Sequence, residues 1–252
     1  MTGSPAPSKT QAEGERIAKV IARAGLCSRR EAERWIGEGR VSVDGQVITS
    51  PALNVTPAQG IVVDGRPLPT AERRRLWRYH KPPGVLTTHV DPQGRPTVFE
   101  QLPEALGRVI AIGRLDMSSE GLLLLTSDGA LARWISLPST GWLRRYRVRA
   151  FGHVEDADLA RLKAGITLNG MAYGPIEARI DAVKGANVWL NVALREGKNR
   201  EVRVVLEHLG LKVNRLIRIS YGPFQLGSLP RGEVAAVPGK VLLEQLGKRA
   251  AP

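Results

Sequence analysis

The sequence predicts an α+β protein in two successive parts, and three observations support this class. Apolar residues between positions 15 and 39 recur at the three- and four-residue spacing of amphipathic helices. Two Asp-Gly pairs, at positions 44–45 and 64–65, each separate short alternating segments, which is the pattern of β-hairpins. Four consecutive leucines, Leu122–Leu125, lie between a glycine and an Asp-Gly turn, as in a strand that is buried on both faces. Short helices combined with many short strands are typical of α+β folds.

The composition is that of a folded globular protein. The chain has 252 residues, of which 42% are hydrophobic and 24% charged, so it can bury one large core or two modest ones. Because no apolar run approaches bilayer length and residues 1–15 lack an apolar segment, we predict a cytoplasmic protein with neither a membrane span nor a signal peptide. With one cysteine, Cys27, and four scattered histidines, the sequence argues against a disulfide framework and a zinc site.

The net charge indicates the kind of partner. The formal charge is +13, because 37 Lys and Arg residues outnumber 24 acidic ones. Such an excess favours a polyanion. The basic residues cluster, and no long basic amphipathic helix suited to a membrane surface is evident, so nucleic acid is the predicted partner.

Residues 15–39 predict two short helices joined by a turn at Gly25. Ser28 and Glu31 form an S-x-x-E capping box that would start the second helix, and Gly37 would end it. The predicted apolar faces consist of Ile17, Val20, Ile21, Ala24, Ala32, Trp35 and Ile36. The basic residues predicted to lie outside are Arg16, Lys19, Arg23, Arg29, Arg30 and Arg34.

This helix pair, followed by the hairpin segment "RVSVDGQVI", resembles the S4 RNA-binding domain of ribosomal proteins and RNA-modifying enzymes. We assign residues 15–68 to this helix-helix-hairpin domain and residues 1–14 to a disordered tail. The resemblance implies that the helix pair contacts RNA. The six basic residues named above would then lie near phosphates, where such groups position the partner without reading its sequence.

Four motifs in the rest of the chain occur in the order found in one group of bacterial ribosomal RNA pseudouridine synthases. They are "KPPGVLTTHVDPQGRPTV", "GRLDMSSEGLLLLTSDG", "RRYRV" and "REGKNREVR…LIRISYG". Over residues 15–236 the chain resembles the group of small-subunit synthase A and large-subunit synthases B, E and F, most of all the synthase B branch. The predicted organisation is a linker over 69–78, a synthase domain over 79–240 and a tail over 241–252. The resemblance implies a mixed, mostly antiparallel central sheet with flanking helices.

Asp116 lies just before the leucine strand, where an unpaired carboxylate is costly to bury. By resemblance it is the catalytic residue. Pseudouridine formation breaks the bond from C1′ to N1, turns the uracil and joins C1′ to C5. An ionised carboxylate can attack the sugar or remove a C2′ proton, and both mechanisms stay open here. The family match places Arg203 beside Asp116, where its charge favours the ionised form. No cofactor and no metal are expected, because the reaction adds and removes nothing.

The resemblance assigns roles to further residues. Tyr146, in "RRYRV", stacks on the target base and is the candidate base for the C5 proton, while Leu216 packs in the pocket. Arg114 contacts RNA around the uridine, which must leave its stack to react. The expected partner is ribosomal RNA, foremost 23S rRNA or a large-subunit assembly intermediate, and the expected state is a monomer. The remaining predicted RNA contacts are Lys81, Lys198 and Arg200.

Three alternatives remain at this point. The substrate could be 16S rRNA, or the chain could be a non-catalytic S4-type RNA-binding protein. A nucleoside or glycoside hydrolase could use Asp116 and Glu120 as a carboxylate pair, although Glu120 is expected to face solvent. RNA mass separates the enzymes, because isomerisation preserves it whereas hydrolysis releases free uracil.

Overall fold

The structure, a computed structural model, describes residues 14–70 and 74–247, and the chain divides between residues 73 and 74 into two compact units. Apart from Gly14, the predicted tail over residues 1–14 lies outside the described residues. Among the helices described, none is long and apolar enough to cross a bilayer.

The described residues of the first unit form two short helices and six short strands. The hydroxyl of Ser28 accepts a hydrogen bond from the Glu31 amide at 3.1 Å, which is the predicted cap of the second helix. Asp44 and Gly45 have φ values of 51° and 83°, as the predicted type I′ turn requires. In chain order the elements are β1 (Glu15–Arg16), α1 (Ile17–Arg23), α2 (Arg29–Gly37), β2 (Val41–Val43), β3 (Gln46–Ile48), β4 (Asn54–Val55), β5 (Ile61–Val63) and β6 (Arg66–Pro67).

One small core holds this unit together. The helices α1 and α2 bury their apolar faces against the four-stranded sheet β3-β2-β5-β6, whose strands pair antiparallel. Its fully buried members include Ile17, Ile21, Ala32, Ile36 and Val41. This confirms the predicted helix-helix-hairpin arrangement and leaves the charged faces of both helices outside.

The second unit is built on a nine-stranded mixed sheet. Along the main path the strand order is β13-β14-β10-β15-β9-β7-β17, with β16 added to β15 and β8 added to β9. All of these pairs are antiparallel except β15 with β9. The elements are β7 (Leu76–Lys81), β8 (Ile110–Ile112), β9 (Glu120–Thr126), α3 (Gly129–Ser136), β10 (Arg144–Phe151), α4 (Asp156–Arg161), β11 (Ile166–Leu168), β12 (Met171–Tyr173), β13 (Ile176–Lys184), β14 (Asn187–Leu194), α5 (Glu201–His208), β15 (Lys212–Tyr221), β16 (Phe224–Gln225), β17 (Val234–Ala236) and α6 (Gly239–Leu246), with short 3-10 turns at Phe99–Gln101, Glu104–Leu106, Pro138–Thr140 and Leu162–Ala164.

The leucine strand β9 lies inside this sheet, as predicted. All four leucines of Leu122–Leu125 are completely buried. Leu122 and Leu124 pack in the core formed with α3 and α6, whereas Leu123 and Leu125 pack with Tyr79 and its neighbours. Full burial on both faces makes β9 a rigid support for the loop that precedes it, which carries Asp116.

Two predicted boundaries of the synthase domain need correction. Strand β7 begins at Leu76, within the predicted linker, because Leu76 and Trp77 are apolar and pair antiparallel with β9. Helix α6 occupies part of the predicted C-terminal tail, since Leu242 and Leu246 are buried in the core beside α3. The sequence pattern missed both because each element is short and flanked by polar residues.

Candidate active site

Three of the four predicted catalytic residues line one cleft of the second unit, whereas Arg203 is not among its lining residues. The volume of this cleft is about 290 Å³, and Asp116 lines it from the loop between β8 and β9. Tyr146 on β10 and Leu216 on β15 line the same cleft and are 8% and 6% exposed. These strands are neighbours, so sheet pairing brings the side chains together across some 70 residues of sequence. The predicted RNA contacts Arg114, Lys198 and Arg200 also line the cleft.

Three buried cations hold the loop that carries Asp116. The Lys81 ammonium donates to the carbonyls of Ser119 at 2.9 Å and Met117 at 3.4 Å. The Arg203 guanidinium donates to the Ser118 carbonyl at 3.3 Å. Arg218 donates to the Arg114 carbonyl at 3.4 Å and to the Leu122 carbonyl in β9 at 2.7 Å. The backbone on both sides of Asp116 is therefore attached to β7, α5 and β15, which restricts the position of the carboxylate.

These cations leave positive charge beside Asp116. No ion pair within 4 Å joins Lys81, Arg203 or Arg218 to an acidic side chain of the described residues, although each is at most 6% exposed. Burial lowers the pKa of Lys81 to about 8, and Asp116 opposes that shift. Burial also lowers the pKa of Arg203, again with Asp116 acting in the opposite direction. Buried positive charge without a direct partner favours an anion in the adjoining cleft.

The predicted RNA contact of Lys81 is wrong. Its side chain is completely buried, and the ammonium donates to three backbone carbonyls, including that of Pro82 at 3.0 Å. Strand β7 places Lys81 opposite Gly121, at the point where the Asp116 loop enters β9. Lys81 therefore stabilises the Asp116 loop through hydrogen bonds to its backbone and is not available to contact RNA.

The expectation that Glu120 faces solvent is also wrong. Glu120 is 3% exposed, its carboxylate bonds to the Arg215 guanidinium, and Arg231 lies 2.7 Å away on its other oxygen. Parallel pairing of β9 with β15 places Glu120 next to Ile217 and within reach of Arg215. A carboxylate engaged by two arginines is a poor acid–base partner for Asp116, which weakens the hydrolase alternative.

The sequence reasoning missed a cluster of Arg144, Arg218 and Tyr221 in the cleft. The guanidinium carbons of Arg144 and Arg218 lie 4.6 Å and 5.2 Å from the centroid of the Tyr221 ring, and Arg144 donates to the Tyr221 hydroxyl at 3.0 Å. A signal was present in the sequence. Arg144 shares the inward alternation of Tyr146 on β10, and Arg218 shares that of Leu216 on β15.

The basic residues of the first unit differ in how they are engaged. Lys19 and Arg23 both pair with Glu15 at 2.5 Å, Arg34 pairs with Glu31 at 3.4 Å, and Arg16 bonds to the Ala52 carbonyl. Arg29 and Arg30, in the first turn of α2, are exposed, and neither forms an ion pair with an acidic group in the described part of the chain. Of the six predicted contacts, these two are therefore the most available to an external phosphate.

No cluster of three or more His, Cys, Asp or Glu side chains suited to a metal ion occurs within residues 14–70 and 74–247. The donor groups around Asp116 are an ammonium and guanidiniums, which repel cations. The chemistry available in this cleft is thus that of two carboxylates, Asp116 and Glu201, two tyrosine rings and several cations that can bind an anionic substrate.

The fold and the cleft define a two-part protein, in which a small helix-helix-hairpin unit precedes a larger sheet domain with a cleft lined by cations. The S4 domain family matches residues 15–66, and the RNA pseudouridylate synthase family matches residues 75–208. The chain belongs to the RNA pseudouridylate synthase family and carries an N-terminal S4 domain, so it is a pseudouridine synthase, an RNA isomerase.

Individual relatives agree with this assignment. The chain is 48% identical to an uncharacterized RNA pseudouridine synthase of Rickettsia felis over 90% of this chain and 99% of that protein. It is 45% identical to ribosomal large subunit pseudouridine synthase B of Haemophilus influenzae over 90% of this chain and 66% of that protein. A solved pseudouridylate synthase superposes with a TM-score of 0.64 at 28% identity, covering 92% of this chain and 99% of that one.

Proposed function

We propose that this enzyme converts a uridine of 23S rRNA to pseudouridine, with Asp116 as the catalytic carboxylate and without a cofactor. The observation that carries the proposal is the attachment of the Asp116 loop to Lys81, Arg203 and Arg218 beside an open cleft. A large-subunit rRNA target is supported by the names of relatives that are 45–46% identical. A monomer acting in the cytoplasm, on free rRNA or on an assembly intermediate, completes the proposal.

Asp116 acts at the sugar of a uridine that has left its stack. Its carboxylate either attacks C1′ as the N1 bond breaks, or removes a C2′ proton to leave a glycal. In both cases the uracil leaves with the electron pair of the C1′–N1 bond and turns in the cleft. Its C5 then bonds to C1′ as the bond between Asp116 and C1′ breaks or, in the glycal route, as the proton returns to C2′. Loss of the C5 proton then restores the aromatic base, and N1 takes up a proton, so no atom is gained or lost overall. The surrounding cations stabilise the negative charge that the detached uracil carries.

Mapping of pseudouridines tests the substrate. In rRNA from cells that lack this protein, one 23S pseudouridine should disappear and should return when the gene is restored. In a separate assay, the purified enzyme should leave the mass of the RNA unchanged. Loss of a 16S site instead would replace the proposed target, and release of free uracil would replace the reaction.

Tyr146 can be tested for its two proposed contributions. Tyr146→Phe keeps the ring and removes the hydroxyl, so it should bind RNA normally and break the glycosidic bond. It should stall before the C5 proton is lost, with tritium release from C5-labelled RNA slowed about 10²–10⁴-fold. Tyr146→Leu should also weaken RNA binding by about 1–3 kcal/mol, because stacking is lost.

Tyr79→Phe is the matched control for Tyr146→Phe. The Tyr79 hydroxyl is buried without a hydrogen-bond partner among the described residues, and Tyr79 does not line the cleft. Its removal should leave tritium release unchanged. If Tyr146→Phe releases tritium at the wild-type rate, the hydroxyl has no part in the mechanism and only stacking remains.

The S4 domain is expected to bind RNA through Arg29 and Arg30. The double substitution to Gln should weaken RNA binding and lower the salt dependence of the affinity by roughly 0.7 to 0.9 for each phosphate that the variant no longer binds. Catalysis at saturating RNA should persist, since the residues of the cleft are unchanged. The measurement is a binding titration at several salt concentrations.

The double variant Arg40→Gln with Arg66→Gln is the control for the Arg29 and Arg30 substitutions. It also removes two positive charges from the first unit, but at the hairpins, where both arginines lie near Asp64. This control should keep a salt slope closer to that of the wild-type protein. Equal slopes for the helix variant and the wild-type protein would contradict RNA binding by the α2 N-terminus.

A further inference from the structure

One half of the large sheet exposes a row of arginines that the proposed reaction does not use. Strand β10 alternates strictly between buried and exposed residues. Its inward residues Tyr146, Val148 and Ala150 belong to the core with α4 and α5. The opposite face of the strand therefore points away from that core. It carries Arg145, Arg147, Arg149 and Phe151.

Neighbouring strands extend this surface, which we name the arginine face. By register, Trp189, Asn191 and Ala193 of β14 lie beside the arginines of β10. On one flank β13 adds Arg179, and on the other β15 adds Arg215. Side chains two residues apart on a strand are about 6.6 Å apart. The three arginines of β10 thus form an evenly spaced line of positive charge.

Most of that charge is not neutralised within the protein. Among the residues that the structure describes, no acidic group lies within 4 Å of the guanidiniums of Arg145, Arg149 or Arg179. Some exposed arginines elsewhere in this unit are paired, such as Arg95 with Asp91 at 2.9 Å and Arg161 with Asp158 at 3.2 Å. Others, such as Arg133 and Arg200, form no ion pair with an acidic group of the described residues. On β13 the face also carries Glu177 and Asp181, on either side of Arg179. The local excess of positive charge therefore lies mainly along β10, at Arg145 and Arg149.

The remaining members of the face are suited to RNA. Arg147 lies 4.8 Å from the centroid of the Trp189 ring and bonds to Asp181 at 2.9 Å, so two contacts hold its guanidinium in place. Phe151 is 52% exposed at the end of the line. Cations along a track with an adjacent exposed aromatic ring are the features by which proteins bind single-stranded nucleic acid. A recess of about 640 Å³ adjoins the line, and its charged lining residues are Arg145, Lys163, Arg179 and Glu177.

We propose that the arginine face binds the backbone of RNA that flanks the target uridine. The inference rests on the proposed rRNA substrate, since only a long RNA offers strands beyond the cleft. The phosphates would pair with Arg145, Arg149 and Arg179, and a base unstacked in the flanking strand would cover Phe151. Such contacts add affinity and orientation without reading sequence.

The test replaces Arg145, Arg149 and Arg179 with Gln and measures binding to full-length 23S rRNA over a range of salt concentrations. We expect affinity to fall roughly tenfold or more and the salt slope to decrease by roughly two, as expected when three phosphates are no longer neutralised. The matched control replaces Arg95, Arg161 and Lys240, which removes equal charge away from the face. An equal loss of affinity in the control would overturn the proposal, because binding would then follow net charge alone.

A second measurement does not depend on the stability of the triple variant. Phenylglyoxal modifies exposed arginines of the wild-type protein, and mass spectrometry locates the modified residues. We expect 23S rRNA to protect Arg145, Arg149 and Arg179, and to leave Arg95 and Arg161 reactive. Protection that appears without RNA at high protein concentration would assign the face to a second copy of the chain and reject RNA as its occupant.

Pseudouridine formation is measured in the same wild-type preparation. If no pseudouridine forms in 23S rRNA while the arginines are still protected by it, the proposed substrate fails and the RNA-binding face stands. If pseudouridine forms and the arginines stay reactive, the proposed function stands and the face is rejected.

Discussion

Asp116→Asn should abolish pseudouridine formation while leaving RNA affinity within about tenfold of the wild-type value, or about 1.4 kcal/mol. An amide has nearly the shape of a carboxylate, but it can neither attack C1′ nor remove a C2′ proton. The loop should keep its position, because Lys81, Arg203 and Arg218 bond to its backbone carbonyls and not to the substituted side chain. The measurement combines product analysis by mass spectrometry after nuclease digestion with a binding titration.

Asp158→Asn provides the control for this variant. Asp158 lies on α4, where it pairs with the exposed Arg161. Its substitution removes one carboxylate from the surface and should leave product formation unchanged. Pseudouridine above background from purified Asp116→Asn would contradict the catalytic assignment of Asp116. Loss of RNA binding by the same variant would instead indicate that the carboxylate organises the cleft.

Gly121→Ala is expected to destabilise the synthase domain severely. Gly121 has a φ of +104°, and a Cβ atom there would overlap the Arg218 carbonyl oxygen and lie 2.7 Å from the Arg218 nitrogen. Both are backbone atoms of β15, which pairs with β9 at this residue. An added methyl group must therefore push apart two central strands. The strand that carries Leu216 and Arg218 would move away from the Asp116 loop, so activity should fall with stability.

Gly185→Ala separates the steric clash from backbone strain. Gly185 has a φ of +58° in the turn between β13 and β14, and a Cβ atom there would meet nothing within 4 Å. Its substitution should cost about 1–3 kcal/mol, the usual strain of a positive φ. Urea unfolding of both variants would isolate the clash as the difference. If Gly121→Ala unfolds at the same urea concentration as Gly185→Ala, the close approach of β9 and β15 is not required for stability.

Several features of this protein could be predicted from short stretches of sequence. The Ser28 cap of α2, the Asp44-Gly45 turn and the buried strand Leu122–Leu125 all follow from neighbours a few residues away. The family motifs added Asp116, Tyr146 and Leu216, which the fold then brings into one cleft. Whether those residues perform their expected chemistry stays a prediction for the variants described above.

The predictions that failed concerned charged side chains near the centre of the sheet. Lys81 was expected at an RNA surface and Glu120 in solvent, yet both are buried. Lys81 bonds to a carbonyl 38 residues away, and Glu120 bonds to an arginine 95 residues away. A charged residue in a local pattern is assigned to the surface, because burial without a partner is costly. Only strand pairing reveals that the partners exist.

The sequence by itself determined the local structure and the family of this protein, because helix caps, tight turns and apolar runs depend on interactions within a few residues. The tertiary structure alone decided which cations surround the Asp116 loop and which arginines remain exposed. Arg218 and Arg215 lie three residues apart on β15, but one is buried in the cleft and the other lies at the opposite face. Their surroundings follow from the pairing of β15 with β9 and β10, and that pairing is set by contacts between residues far apart in the chain.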